Sequence, residues 1–290
     1  MRVVEFTQPC MTLAVSVTGR ECGLRCAHCG GHYLKGMVPA GEALGLLTGG
    51  AGRGDPAGEV GARRGPQGRY SSCLISGGCD PAGKVPVLRD MGLLRGMKSA
   101  GLRLNFHTGL VSEPEAAEIG KWADCASFDL VGDDETVAEV FGVPRGSDDY
   151  RRSYEMLRRH VRVVPHICIG LRGGNISGEY RAVDYLAGLM NPPDQVVFIV
   201  FIPTRGTSYE NRTPPDPEGV AAVIEMARRS LPGAKLTLGC MRPAGRYRSR
   251  TDVLSLAAGA DGVVNPSGEA RDLARRNGWH VIEKRECCVF

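Results

Sequence analysis

Apolar residues along this chain gather into eight short runs: MTLAVSVTG, SSCLISGG, LRLNFHTG, CASFDLVG, VRVVPHICIGL, QVVFIVFIPT, KLTLGCMR and ADGVVNPS. Each run is nearly continuous rather than strictly alternating. That pattern suits parallel strands buried on both faces. Between the runs lie amphipathic stretches of helical period, such as VLRDMGLLRGMKSAG, PEAAEIGKWA, DYRRSYEMLRRH, EYRAVDYLAGLM, EGVAAVIEMARRSL and RSRTDVLSLAAG. Several stop on Gly, which tolerates the left-handed conformation that ends a helix. Repeated strand–helix units predict a parallel sheet with right-handed crossovers. Eight units predict an α/β fold of the (β/α)8, TIM-barrel type, with a partly open barrel as the alternative. One barrel domain over residues 1–290 is expected. It would carry a flexible Gly- and Arg-rich loop at 49–69 and a cysteine-containing tail at 280–290.

In such a barrel the active site lies at the C-terminal ends of the strands. Here those ends carry the polar and glycine residues: Thr18-Gly19, Ser76-Gly77-Gly78, His107-Thr108-Gly109, Asp129, Gly170, Pro203-Thr204 and Cys240-Met241-Arg242. Turn formation needs such residues in any βα loop. That explains one loop at a time, and poorly explains all of them together.

Composition narrows the picture. Thirty-six basic residues against 32 acidic give a net charge of +4, with no basic block interleaved with aromatics. Nucleic acid is therefore not an expected partner. No apolar run reaches the roughly 20 residues that cross a bilayer. MRVVEFTQPC lacks the long apolar core of a secretory leader, so a cytoplasmic protein away from membranes is expected. Eleven cysteines is an odd number, which argues against a closed disulfide framework and toward metal or redox chemistry.

Three of those cysteines stand together in CGLRCAHC: Cys22, Cys26 and Cys29. Four thiolates would close a tetrahedral zinc site. Three on an iron–sulfur cubane leave one iron open. The spacing Cys-x3-Cys-x2-Cys directly after the first run resembles the radical S-adenosylmethionine (radical SAM) enzymes. The resemblance implies a [4Fe–4S] cluster on the three cysteines and S-adenosylmethionine on the open iron. It also implies reductive cleavage of the sulfonium to a 5′-deoxyadenosyl radical that abstracts hydrogen from substrate. By the same resemblance Ser76, Gly77, Gly78, His107, Thr108, Asp129, Gly170 and Arg242 are cofactor-binding residues. His28 takes the place of an aromatic packing residue beside the last cysteine. An acidic residue usual after the glycines is replaced by Cys79.

LGCMRPAGRYRSRTDVLSLAAGADGVVNPS resembles the last two units of biotin synthase and its relatives. The set of motifs looks most like a biotin-synthase-like branch that includes the split, two-protein lipoyl synthases. That implies sulfur insertion into a protein-bound octanoyl chain and a second, sacrificial cluster. Cys287, Cys288, Cys10 and Cys79 are the candidates for it, with the tail KRECCVF folded over the barrel mouth. Implied partners are an electron donor of the ferredoxin or flavodoxin type, a lipoyl-domain carrier and a second synthase subunit. Two alternatives stay open. One is a single-cluster radical SAM isomerase, rearrangement or cofactor-maturation enzyme. The other is a non-enzymatic iron–sulfur or zinc protein using the triad with His28 or His32.

Overall fold

All eight apolar runs become strands in the computed structural model, which describes residues 1–47 and 70–290. The proposed loop at 49–69 lies outside the described residues. The strands are β1 (Val3–Thr7), β2 (Thr12–Ser16), β3 (Val38–Pro39), β4 (Ser72–Ser76), β5 (Arg103–His107), β6 (Cys125–Asp129), β7 (Val163–Ile169), β8 (Gln195–Val200), β9 (Lys235–Leu238), β10 (Gly262–Val264) and β11 (His280–Lys284). Every pairing between them is parallel. The order is β11-β1-β10-β9-β8-β7-β6-β5-β4-β2-β3. β1 and β2 stand near opposite ends of that order, yet only residues 8–11 separate them in the chain. The sheet therefore curls back on itself. No ladder joins β3 to β11, so the barrel is of the partly open kind.

Helices cover the outside: α1 (Ala40–Leu47), α2 (Met91–Ser99), α3 (Glu113–Gly120), α4 (Asp134–Thr136), α5 (Ser147–Arg158), α6 (Glu179–Ala187), α7 (Pro217–Ser230), α8 (Arg246–Ala257) and α9 (Gly268–Arg276). Local chemistry sets their starts. Asp90, Asp216 and Ser267 cap α2, α7 and α9 by accepting backbone N–H bonds. The core is the layer between helices and sheet, with Val15, Ile75, Phe106, Phe128, Ile169 and Phe198 nearly inaccessible. Burying apolar groups of this size contributes about 1.5–3 kcal/mol each.

The tail does not lie over the mouth. After β11 the chain turns under the barrel, at the N-terminal ends of the strands. The Cys287 N–H donates to Thr12 Oγ1 at 2.7 Å, and Gln195 Nε2 donates to the Cys288 carbonyl at 2.8 Å. Arg162 donates to the Val289 carbonyl at 2.7 Å, and the Arg103 guanidinium lies over the Phe290 ring. Glu286 pairs with Ser71 and Arg103. Cys288 and Val289 pack with Cys125, Val164, Val197 and Val264 into a second small core. The expectation of a mouth-covering tail is thus corrected. Apolar CCVF buries far more surface as a plug than it could over a polar mouth.

Candidate active site at the barrel mouth

Strand β2 delivers the chain into residues 17–31, the cysteine loop. Backbone bonds pin this loop from several sides. Gly23 N–H donates to Cys79 O at 2.6 Å, Ala27 N–H to Val140 O at 2.7 Å and Tyr209 N–H to Ala27 O at 3.1 Å. Within the loop, Gly30 N–H donates to Cys26 O at 2.9 Å and His32 N–H to Cys29 O at 2.7 Å. Gly30 and Gly31 take φ of 48° and 79°, a left-handed turn that side chains resist. That turn folds the third cysteine back toward the second.

Cys26 donates its S–H to Cys29. That bond, assisted by His28, holds the Cys29 thiol down at about 4 despite burial. The same bond and burial push Cys26 up. Cys22 lies on the facing side of the loop, where a Cβ added to Gly31 would meet its Cβ at 3.7 Å. Cys79 adjoins the same loop, its thiol raised to about 12 by burial and then by Cys22. His28 packs edge-on against Phe141 with ring centres 6.0 Å apart. Its Nδ1 is buried with no hydrogen-bond partner. Among the described residues no three His, Cys, Asp or Glu side chains surround a point that would hold a single metal ion. A polynuclear cluster asks for something else, one thiolate per iron from a loop that encloses it. The triad fits that demand: three thiols on one tightly tethered loop, one of them already favouring its thiolate, beside an orphaned imidazole nitrogen.

The Gly-Gly turn after β4 lies flush against this loop. Gly78 N–H donates to Thr18 Oγ1 at 2.7 Å. A Cβ at Gly78 would run into Glu21 O and come within 2.6 Å of the Cys22 Cα. Ser76 is buried just below, its carbonyl accepting from Val17. Gly78→Ala is thus expected to push the first cysteine out of place. Iron per chain after anaerobic reconstitution should fall by more than half, read against an unchanged far-ultraviolet circular dichroism spectrum. Full iron loading would show that the loop yields.

Other residues read from the sequence are placed differently. Arg242 is 1% exposed, and each of its three guanidinium nitrogens bonds inside the fold. It bonds Asp252 Oδ1 at 2.6 Å, Gly239 O at 2.6 Å and Asn265 O at 3.2 Å. Asp252 in turn accepts from Ser267 N–H at 2.8 Å. So Arg242 ties β9, α8 and the turn after β10 together and is not free for a cofactor carboxylate. Arg242→Ala is expected to cost about 3–5 kcal/mol, because it strands a buried carboxylate. A chemical-denaturation curve checks this; a midpoint within error of wild type would contradict it. Thr108 is fully buried and its hydroxyl donates to Gly109 O at 3.0 Å, so it presents nothing to the mouth. Gly170 takes φ 73° and gives its N–H to Glu179 Oε1 at 2.7 Å, which shapes the loop after β7. Of the four candidates for a second cluster, Cys10 is exposed beside the β1–β2 link and Cys79 stands at the triad, while Cys287 and Cys288 lie at the barrel floor. The four do not meet.

Inside the ring of strands, His107 and Asp129 form an ion pair, Nε2 to Oδ2 at 3.2 Å. Burial alone would raise Asp129, but His107 outweighs it and holds the carboxyl down at about 2. Sequence reasoning missed His166, whose ring centre is 6.2 Å from that of His107. The available signal was strand parity: His166 and Cys168 alternate on one face of β7. Cys240, after β9, is exposed although strands surround it.

No family model matches the chain. It is similar to biotin synthase of Synechococcus sp., 24% identical over 176 residues, which cover 60% of this chain and 52% of the relative. It is also similar to biotin synthase of Halorhodospira halophila, 26% identical over 215 residues, 68% of this chain and 63% of the relative. The chain spans about half the length of the first of these curated relatives. Among solved structures, the FeFe-hydrogenase maturase HydG from Carboxydothermus hydrogenoformans superposes with a TM-score of 0.65 at 13% identity, covering 97% of this chain and 67% of that one. Methylornithine synthase superposes with a TM-score of 0.58 at 17% identity, covering 97% and 84%. Fold and relatives point the same way: the chain has the fold of these solved structures and is similar in sequence to biotin synthases. No helix among the described residues is long and apolar enough to cross a membrane.

Proposed function

We propose that this chain binds a [4Fe–4S] cluster on Cys22, Cys26 and Cys29, cleaves S-adenosylmethionine reductively and abstracts hydrogen from a substrate in the barrel lumen. The observation that carries this reading is the contact of the Gly78 turn with the Cys22 backbone, which seats the two loops against each other at the strand ends. The bound cluster would offer one iron to the amino acid end of S-adenosylmethionine and supply the electron that breaks its sulfonium bond. The chain's own residues do the rest. Ser76, Gly77 and Gly78 offer backbone groups beside the cluster loop. His28 packs behind Cys29 and steadies its thiolate. The strand ring excludes bulk water from the radical, and the tail closes the floor. An electron donor of the ferredoxin or flavodoxin type would reduce the cluster. Electron paramagnetic resonance of the reduced protein tests this: S-adenosylmethionine should shift the cluster signal, and an unchanged spectrum would count against the reading.

One observation favours sulfur insertion of the lipoyl type as a second reading. Cys287 and Cys288 face each other within hydrogen-bonding reach at the floor of the lumen, and Cys240 is close enough to influence both. Sulfur is thus concentrated below the site of hydrogen abstraction. In that reading the partners are a lipoyl-domain carrier and a second synthase subunit. Replacing Cys287 and Cys288 together with Ala should lower iron and sulfide beyond one cluster per chain. Unchanged content would remove the tail from this role and leave a single-cluster hydrogen abstraction or rearrangement.

A further inference from the structure

His166 lies on β7 with its Nδ1 3.0 Å from the Val164 carbonyl. A carbonyl can only accept, so the proton sits on Nδ1 and Nε2 is left a bare acceptor. That Nε2 has no partner among the described residues. The ring of His107 faces it at 6.2 Å between centres, tilted by 41°. His107 has its Nε2 bound to Asp129, which orients the ring and favours its cation. In its protonated form the ring also carries a hydrogen on Nδ1. The His107 and Asp129 side chains keep 34% and 46% of their surface although strands enclose them. That free surface opens on the lumen.

We propose that His107, Asp129 and His166 form a substrate-recognition site that takes a neutral group able to accept one hydrogen bond and donate another, as a carboxamide or a hydroxyl does. His107 donates to it and His166 accepts from it. The charges around the site disfavour an anion. Asp129 cancels the His107 cation, and the other ionisable neighbours include the thiols of Cys287, Cys168 and Cys79, the Tyr150 hydroxyl and the imidazole of His28. Burial keeps His166 down at about 4, so it stays neutral and accepting. Burial also pulls on His107, but Asp129 outweighs it and the net shift is upward. This inference rests on the reading of the lumen as the substrate chamber.

The test is histidine-selective 15N nuclear magnetic resonance on the reconstituted, oxidised protein at pH 7, with acetamide as probe and acetate as its anionic control. The expected result is a neutral Nδ1–H tautomer for His166 and a His107 that titrates above the ordinary imidazole value. Acetamide should shift both rings saturably and acetate neither. Asp129→Asn should lower the His107 pKa, because it removes the carboxylate that favours the cation. It should also weaken acetamide binding about tenfold. Equal response to acetate, no response to either probe, or a His107 pKa indifferent to Asp129→Asn would overturn the proposal. Because the wild-type titration alone decides the first two outcomes, a poorly folding variant does not blunt the test. Uncoupled S-adenosylmethionine cleavage is assayed on the same samples. Its absence would sink the radical reading while leaving the imidazole result standing, and the converse failure is equally visible.

Discussion

Cys26→Ala is expected to abolish both the brown cluster chromophore and reductive cleavage of S-adenosylmethionine. Cys26 is the centre of the loop in a physical sense. Its carbonyl accepts from Gly30 and Cys29, its thiol donates to Cys29, and it is the buried member of the triad. Without its sulfur, two thiols remain on a loop that keeps its backbone bonds but has lost the donor to Cys29. Cys29 would also lose the donor that holds its thiolate, so its pKa should rise from about 4 toward the ordinary thiol range. Iron analysis and 5′-deoxyadenosine formation check this together. Retained cleavage would remove the triad from the chemistry. The fold itself should survive, since the substitution removes one sulfur and leaves the loop's backbone bonds and its buried Val17 and Ala27 in place.

Deleting Cys287–Phe290 is the second large effect. The plug buries Val289 at 1% exposure and Cys288 at 8%. It also satisfies Gln195 and Arg162, which would otherwise be left with unfilled donors beneath the barrel. Lost burial of one Val-sized group contributes about 2 kcal/mol. Two unsatisfied polar groups add about 1–3 kcal/mol each. A loss of about 4 kcal/mol or more should lower Tm by roughly 8 °C or more. Differential scanning fluorimetry of the truncated and full chains reads this directly. An unshifted Tm would mean that the tail is not a structural plug. The Arg162→Ala variant should reproduce a fraction of the effect, because it removes the clasp on the Val289 carbonyl without removing sulfur.

The repeating units were legible because parallel strands buried on both faces leave unbroken apolar runs, as in QVVFIVF and VRVVPHICIGL. β1 was not legible as part of the barrel. VVEFT is short, and its partners β10 and β11 lie more than 250 residues away in sequence. β11 carries HVIEK, too polar to announce itself. The cysteine loop was legible because three thiols at fixed spacing are a local signal. Arg242 was misplaced because a strand-end arginine reads the same whether it points to the mouth or inward. Only the buried Asp252, ten residues on and across a turn, decides between the two. The tail failed for a similar reason: two cysteines in KRECCVF suggest metal chemistry, while the groups that receive the tail are scattered from Thr12 to Gln195. His166 needed the strand order, which sets β7 one strand away from β5 across β6, before its partner was visible.

The most direct measurement is 5′-deoxyadenosine released when the anaerobically reconstituted chain is given dithionite and S-adenosylmethionine. It should be run beside the Cys22/Cys26/Cys29 triple Ala variant. The account predicts product from the wild type and none from the variant. Wild-type protein that carries a full complement of iron and sulfide yet releases no 5′-deoxyadenosine would contradict it.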